Sequence, residues 1–101
     1  MSRSDTIPTL GALQARRDEI LRIAAAHGAR NVRVFGSVAR GHARADSDVD
    51  FLVEFEPGRT VLDLSGLILD LQAALGREVN VVETGRLAAL ADRIEREAVV
   101  L

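Results

Sequence analysis

The sequence predicts a small α/β (α+β) fold in which a mixed sheet of three to four strands is flanked by helices. Three short runs rich in β-branched residues, Asn31 to Phe35, Val49 to Phe55 and Glu78 to Val82, are separated by segments whose apolar residues recur at helical spacing. Glycine or proline signals punctuate these runs. At 101 residues the chain has the size of one domain, so residues 1–101 are read as a single unit.

Taken in order, Thr9 caps a helix whose apolar positions Leu10, Leu13, Ile20, Leu21 and Ala24 form one stripe, and Gly28 ends it. Asn31 to Phe35 alternates as the first strand and runs into Gly36, where a short helical turn follows. Val49 to Phe55 is a longer strand, closed by the turn Pro57-Gly58. Thr60 and Asp63 have the spacing of a capping box, opening a helix that reaches about Leu75 with Gly76 as its stop. Glu78 to Val82 is the third strand. Beyond the turn Thr84-Gly85, Leu87, Leu90, Ala91, Ile94 and Ala98 form the stripe of a last helix, whose end "AVVL" either closes the core or docks a partner.

Composition removes several functions. Hydrophobic residues make up 48% and charged residues 28%, a globular balance that gives no case for disorder. With three Phe as the only aromatics, the core must be built from Val, Leu, Ile and Ala. A formal charge of -2 provides no general basic field for duplex DNA or an anionic membrane. All 13 basic residues are Arg, which excludes lysine chemistry, and the absence of Cys excludes disulfides, thiolate metal sites and cysteine nucleophiles. No apolar stretch approaches the ~18 residues of a membrane span, and the first ten residues lack the apolar run of a signal peptide, so a cytoplasmic location is expected.

The stretch "FGSVARGHARADSDVDFLV" carries the chemistry. Asp46, Asp48 and Asp50 stand at alternate positions, and on a strand Asp48 and Asp50 share a face about 6–7 Å apart. Two readings of this pair stand side by side: a solvated turn whose aspartates accept local backbone hydrogen bonds, or hard oxygen ligands for a divalent cation that also holds substrate phosphates. An EF-hand fails because Phe51 and Pro57 occupy the positions of its glycine and its glutamate. A Walker A loop fails because His42 and Ala43 stand where Lys and Ser or Thr belong, and the glycines miss the dinucleotide-fold spacing. What fits is Gly36-Ser37, ten residues, then Asp48-x-Asp50, with phosphates received at a helix start beside a carboxylate pair. That arrangement suits phosphoryl or nucleotidyl transfer.

"VFGSVARGHARADSDVDFLV", with Phe35, Ala39-Arg40-Gly41 and Ser47 flanking the key residues, resembles the signature of minimal nucleotidyltransferase (MNT) domains. These belong to the superfamily with the DNA polymerase β-like nucleotidyltransferase fold, and the order of elements is similar over nearly the whole chain. The resemblance implies that Gly36 and Ser37 bind the β and γ phosphates of ATP. It implies that Asp48 and Asp50 are catalytic and hold two Mg²⁺ ions, and that a nucleoside monophosphate passes to an acceptor. Arg40 is a candidate phosphate ligand or a solvated charge; Arg44 and Arg33 line a cleft for an acidic partner or are solvated; His42 touches the nucleotide or faces water. The resemblance further implies an antitoxin paired with a HEPN-domain toxin, silenced by attachment of AMP to a tyrosine near its active site. Because the chain contains no Tyr, such an acceptor must lie in trans.

One position departs from that pattern. Active members carry a third carboxylate on a neighbouring strand, and the matching residue is Asn80, which is neutral and cannot serve as a general base. Glu83 falls on the opposite face of a regular strand, and Glu54 lies too far along its own. Two functions of different kinds follow: an active Mg²⁺-dependent transferase relying on Asp48 and Asp50, or an antitoxin that neutralises its toxin by binding alone. Transfer to a small molecule is weaker, since no second domain is seen to hold one.

Overall fold

The computed structural model describes residues 7–84 and 94–101. Its centre is a mixed sheet of four strands in the order β3-β2-β1-β4, where β1 is Ala29–Phe35, β2 Val49–Phe55, β3 Val79–Glu83 and β4 Val99–Val100. β1 runs antiparallel to both β2 and β4, while β2 and β3 are parallel. A parallel pair requires a crossover, and helix α4 (Val61–Leu75) supplies it. The expected fold class is the observed one.

α4 begins and ends as its sequence requires. The Thr60 side chain accepts from the helix's first turn, the Asp63 carboxylate accepts the Thr60 N-H at 2.8 Å, and Gly76 closes the helix with φ +68°. The single helix expected between Thr9 and Gly28 is two: α1 (Leu10–Ala15), capped by Thr9, and α2 (Arg17–Ala26). At the junction the Arg16 N-H reaches back three residues to the Leu13 carbonyl, which tightens the turn, and the guanidinium pairs with Glu19. β1 starts two residues earlier than the alternation suggested. Asn31, at φ +51°, breaks the register between Arg30 and Arg33, and its amide donates to Glu54.

Alternation divides the sheet into two faces. Val32, Val34, Val49, Phe51, Val53 and Val79 are buried in one core with Leu13, Ile20 and Ala24 of α1 and α2 and with Leu67 and Leu71 of α4. The core is aliphatic, as composition required, with Phe51 at its centre. The strand partners Phe35↔Asp50, Arg33↔Leu52 and Asp50↔Asn80 place those residues on the other face.

The carboxyl end corrects an expectation. Residues 94–97 are helical, but "AVVL" leaves the helix to form β4, an edge strand on β1. The Leu101 N-H bonds the Val32 carbonyl and its side chain is buried in the core, so this segment closes the fold. Gly85, Leu87, Leu90 and Ala91 of the expected last helix lie outside the described residues. No described helix is long and apolar enough to cross a membrane.

Candidate active site

Pairing of β1 with β2 sets Phe35 opposite Asp50, and the chain turns at the next residue into the five-residue helix α3 (Gly36–Arg40). Gly36 sits at φ +74°, and a Cβ there would overlap Oδ2 of Asp50. Glycine is therefore required twice, for its backbone conformation and for the close approach of a carboxylate; the conformation alone would cost another residue about 1–2 kcal/mol. Buried Val38 anchors α3, Gly41 ends it at φ +74°, and the Ser37 carbonyl accepts the His42 N-H at 2.8 Å.

The lead-in to β2 is held from two sides. The Arg44 N-H donates to the Ser47 hydroxyl at 2.7 Å, and the Ser47 N-H donates to the Arg44 carbonyl at 3.0 Å. Buried Arg77, just after α4, donates to the carbonyls of Ala45 and Ser47 at 3.1 and 3.0 Å. Asp48 is thus the first side chain beyond a pinned turn. Arg77 went unremarked in the sequence because an arginine after a helix stop looks like any surface charge. Only the fold brings it to residues 45–47.

Asp48 is exposed and Asp50 half-buried. Beside them on β3 stands Asn80, in the register expected of it: its Nδ2 donates to Asp50 Oδ1 at 2.9 Å and to Asp48 Oδ2 at 3.3 Å. Carboxylates only accept, so the amide must present its NH₂ edge to them. Burial pushes the Asp50 carboxyl above the ordinary aspartate range. The hydrogen bond from Asn80 opposes that shift, the Asp48 charge reinforces it, and the Arg40 charge opposes it.

Among the described residues no third carboxylate joins the pair. The unbroken register of β3 puts Glu83 opposite Val53, away from the Asn80 face, and Glu54 accepts the Asn31 amide. Asp46 remains in the exposed turn, and among the described residues no three His, Asp or Glu side chains converge as a metal cage. Arg40 lies within the field of Asp50, yet its Nη1 donates to Glu97 at 3.1 Å. Arg33 shares the site face and bonds the Thr84 hydroxyl at 3.1 Å, with its Nε buried and without a partner. His42 and Arg44 are exposed in the loop. The structure thus brings Gly36, Asp48, Asp50 and Asn80 together and leaves the loop cations at the margin.

These donors fit Mg²⁺ in one specific way. Two neighbouring carboxylates offer hard oxygens, and the bare Cα of Gly36 lets Asp50 Oδ2 lie directly against the turn that would receive phosphates. Two carboxylates completed by substrate phosphates is the usual protein provision for this ion.

A model of the nucleotidyltransferase domain matches residues 17–100, from α2 to β4 and through every residue of the site. The chain belongs to the nucleotidyltransferase domain family. Its relatives include a candidate protein adenylyltransferase of Methanocaldococcus jannaschii, 42% identical over 82 residues that cover 80% of this chain and 88% of the relative. The protein adenylyltransferase MntA of Thermococcus cleftensis is 42% identical over 73 residues, covering 71% and 74% of the two chains. Among solved structures, a candidate minimal nucleotidyltransferase superposes with a TM-score of 0.81 at 51% identity, over 92% of this chain and 96% of its own. A crystal structure of a toxin-antitoxin with AMP-PNP shares the fold at a TM-score of 0.72 and 19% identity, over 82% of this chain and 69% of that one. Within this nucleotidyltransferase domain, the Gly36 turn and the β2 carboxylates are the two parts that meet.

Proposed function

We propose that this nucleotidyltransferase moves AMP from ATP to a hydroxyl of a protein acceptor, with Mg²⁺, and that it is the antitoxin of a HEPN-type toxin. The observation that carries the reading is the contact geometry of Gly36 with Asp50. A turn able to receive phosphates lies directly against one of two adjacent carboxylates, which is what a triphosphate bearing divalent ions requires. Both curated relatives are named protein adenylyltransferases, which supports AMP as the group moved and a protein as its acceptor.

In this reading Gly36 and Ser37 hold the β and γ phosphates, and Arg40 exchanges Glu97 for a phosphate oxygen. Asp48 and Asp50 would hold two Mg²⁺ ions, which would neutralise charge on the triphosphate and lower the pKa of the acceptor hydroxyl. The acceptor oxygen forms a bond to the α-phosphorus, the bond to the bridging oxygen breaks, and pyrophosphate leaves with the electron pair. Asn80 cannot take the hydroxyl proton, so that proton passes to solvent. Since the chain has no Tyr, a tyrosine acceptor belongs to the partner.

A second reading, neutralisation by binding alone, draws support from Asn80, whose neutral amide donates to both carboxylates where active relatives carry an acid. ATP labelled at the α phosphate or at the γ phosphate separates the possibilities when incubated with the chain, a co-expressed HEPN protein and Mg²⁺. Nucleotidyl transfer moves only the α label onto protein. Movement of the γ label, or of neither, contradicts it.

A further inference from the structure

The two oxygens of Asp50 face different elements. Oδ2 looks toward the bare Cα of Gly36, while Oδ1 accepts the Asn80 amide, which also reaches Asp48 Oδ2. The donor thus sits between the two carboxylates, on lone pairs that a bridging cation would need. From this we infer that Asn80 gates the loading of the site: its amide competes with a bare divalent cation, so that the ion enters together with the polyphosphate. The inference rests on the proposed nucleotidyl transfer and adds an order of binding to it.

The physical argument is one of competition. Asp48 and Asp50 repel each other, and a cation gains affinity from relieving that repulsion. An amide that already donates to both has relieved part of it, so a bare ion must displace two charge-assisted hydrogen bonds to bind. The amide oxygen that Asn80 would offer on turning over is neutral and returns less than a third carboxylate would. An ion carrying phosphate oxygens meets less of this competition, because the phosphates supply ligands that a bare ion must take from the two carboxylates. Asn80 is kept in place by the continuous pairing of β3 with β2, from Val79 opposite Val49 to Glu83 opposite Val53.

Calorimetric titration of the full chain with MnCl₂ alone, in the parent and in Asn80→Ala, tests the gate. Removing a competitor should tighten Mn²⁺ binding about tenfold, the scale of one charge-assisted hydrogen bond. Unchanged or weaker binding would overturn the inference, since it would make Asn80 a bystander or a ligand. Asn80 is exposed, so the substitution opens no core, and Asn80→Ser provides a second test of the same sign. Repeating the titration with a non-hydrolysable ATP analogue separates the two levels. If the parent takes up Mn²⁺ with the analogue, through Asp48, but Asn80→Ala gains nothing for Mn²⁺ alone, only the gate fails. If neither protein takes up the ion with the analogue, the transfer reading fails and the gate with it.

Discussion

Asp50 answers to opposing demands. It lies deep enough for burial to raise its carboxyl pKa, yet its proposed work requires it to be ionised. Since the folded chain holds this proton more tightly than the unfolded chain, ionising Asp50 opposes folding. The cost is complete at neutral pH, shrinks as pH falls through the raised pKa, and vanishes below the ordinary aspartate value. Asp50→Asn is therefore expected to melt at a higher temperature than the parent at pH 7, with the gap narrowing under acid, while nucleotidyl transfer is lost. Thermal melts across pH check this. A gap independent of pH, or of opposite sign, would place the strain elsewhere. Such exchange of stability for activity is common where like charges are gathered for function.

At the scale of elements, α4 is the crossover that makes β3 parallel to β2 and so brings Asn80 beside Asp50. Its amino-terminal capping box is local and legible in sequence, and its consequence is felt at the site. Loss of the cap through Thr60→Ala should lower stability by about 1 kcal/mol. Asp63 behaves oppositely to Asp50. The Thr60 N-H, and then Arg59, hold its carboxyl below the ordinary value, so its contribution is present above that value and disappears as pH falls through the lowered one. Asp63→Asn should accordingly melt below the parent at neutral pH and match it in strong acid, as thermal melts at both pH values will show. β4 is the contrary case. Two residues cannot establish a period, and the pairing of Val99 with Val34 spans most of the chain, so only the folded sheet reveals it. The turn at Arg16 was equally hidden, since neither proline nor glycine marks it.

At the scale of the whole molecule, one sheet serves two purposes: its helix-covered face carries the core, and its other face carries Asp50 and Asn80. Much of this was legible, because alternation in Val49 to Phe55 assigns Phe51 to the core and Asp50 to the site from residue order alone. That Asn80 is the partner of Asp50 was legible only through the family resemblance, since alternation within one strand does not fix its register against another. Two things were not. Arg77 bonds the turn before Asp48 across more than thirty positions in sequence, and the Arg40 contact with Glu97 joins α3 to the helical turn before β4. Long-range polar contacts leave no periodicity, so sequence carries no sign of them. The most direct test of the central claim, that the carboxylates beside Gly36 transfer AMP, is the intact mass of a co-expressed HEPN protein after incubation with this chain, ATP and Mg²⁺. The account predicts a gain of whole AMP units that disappears with Asp48→Ala. No gain, or a gain that survives the substitution, would contradict it.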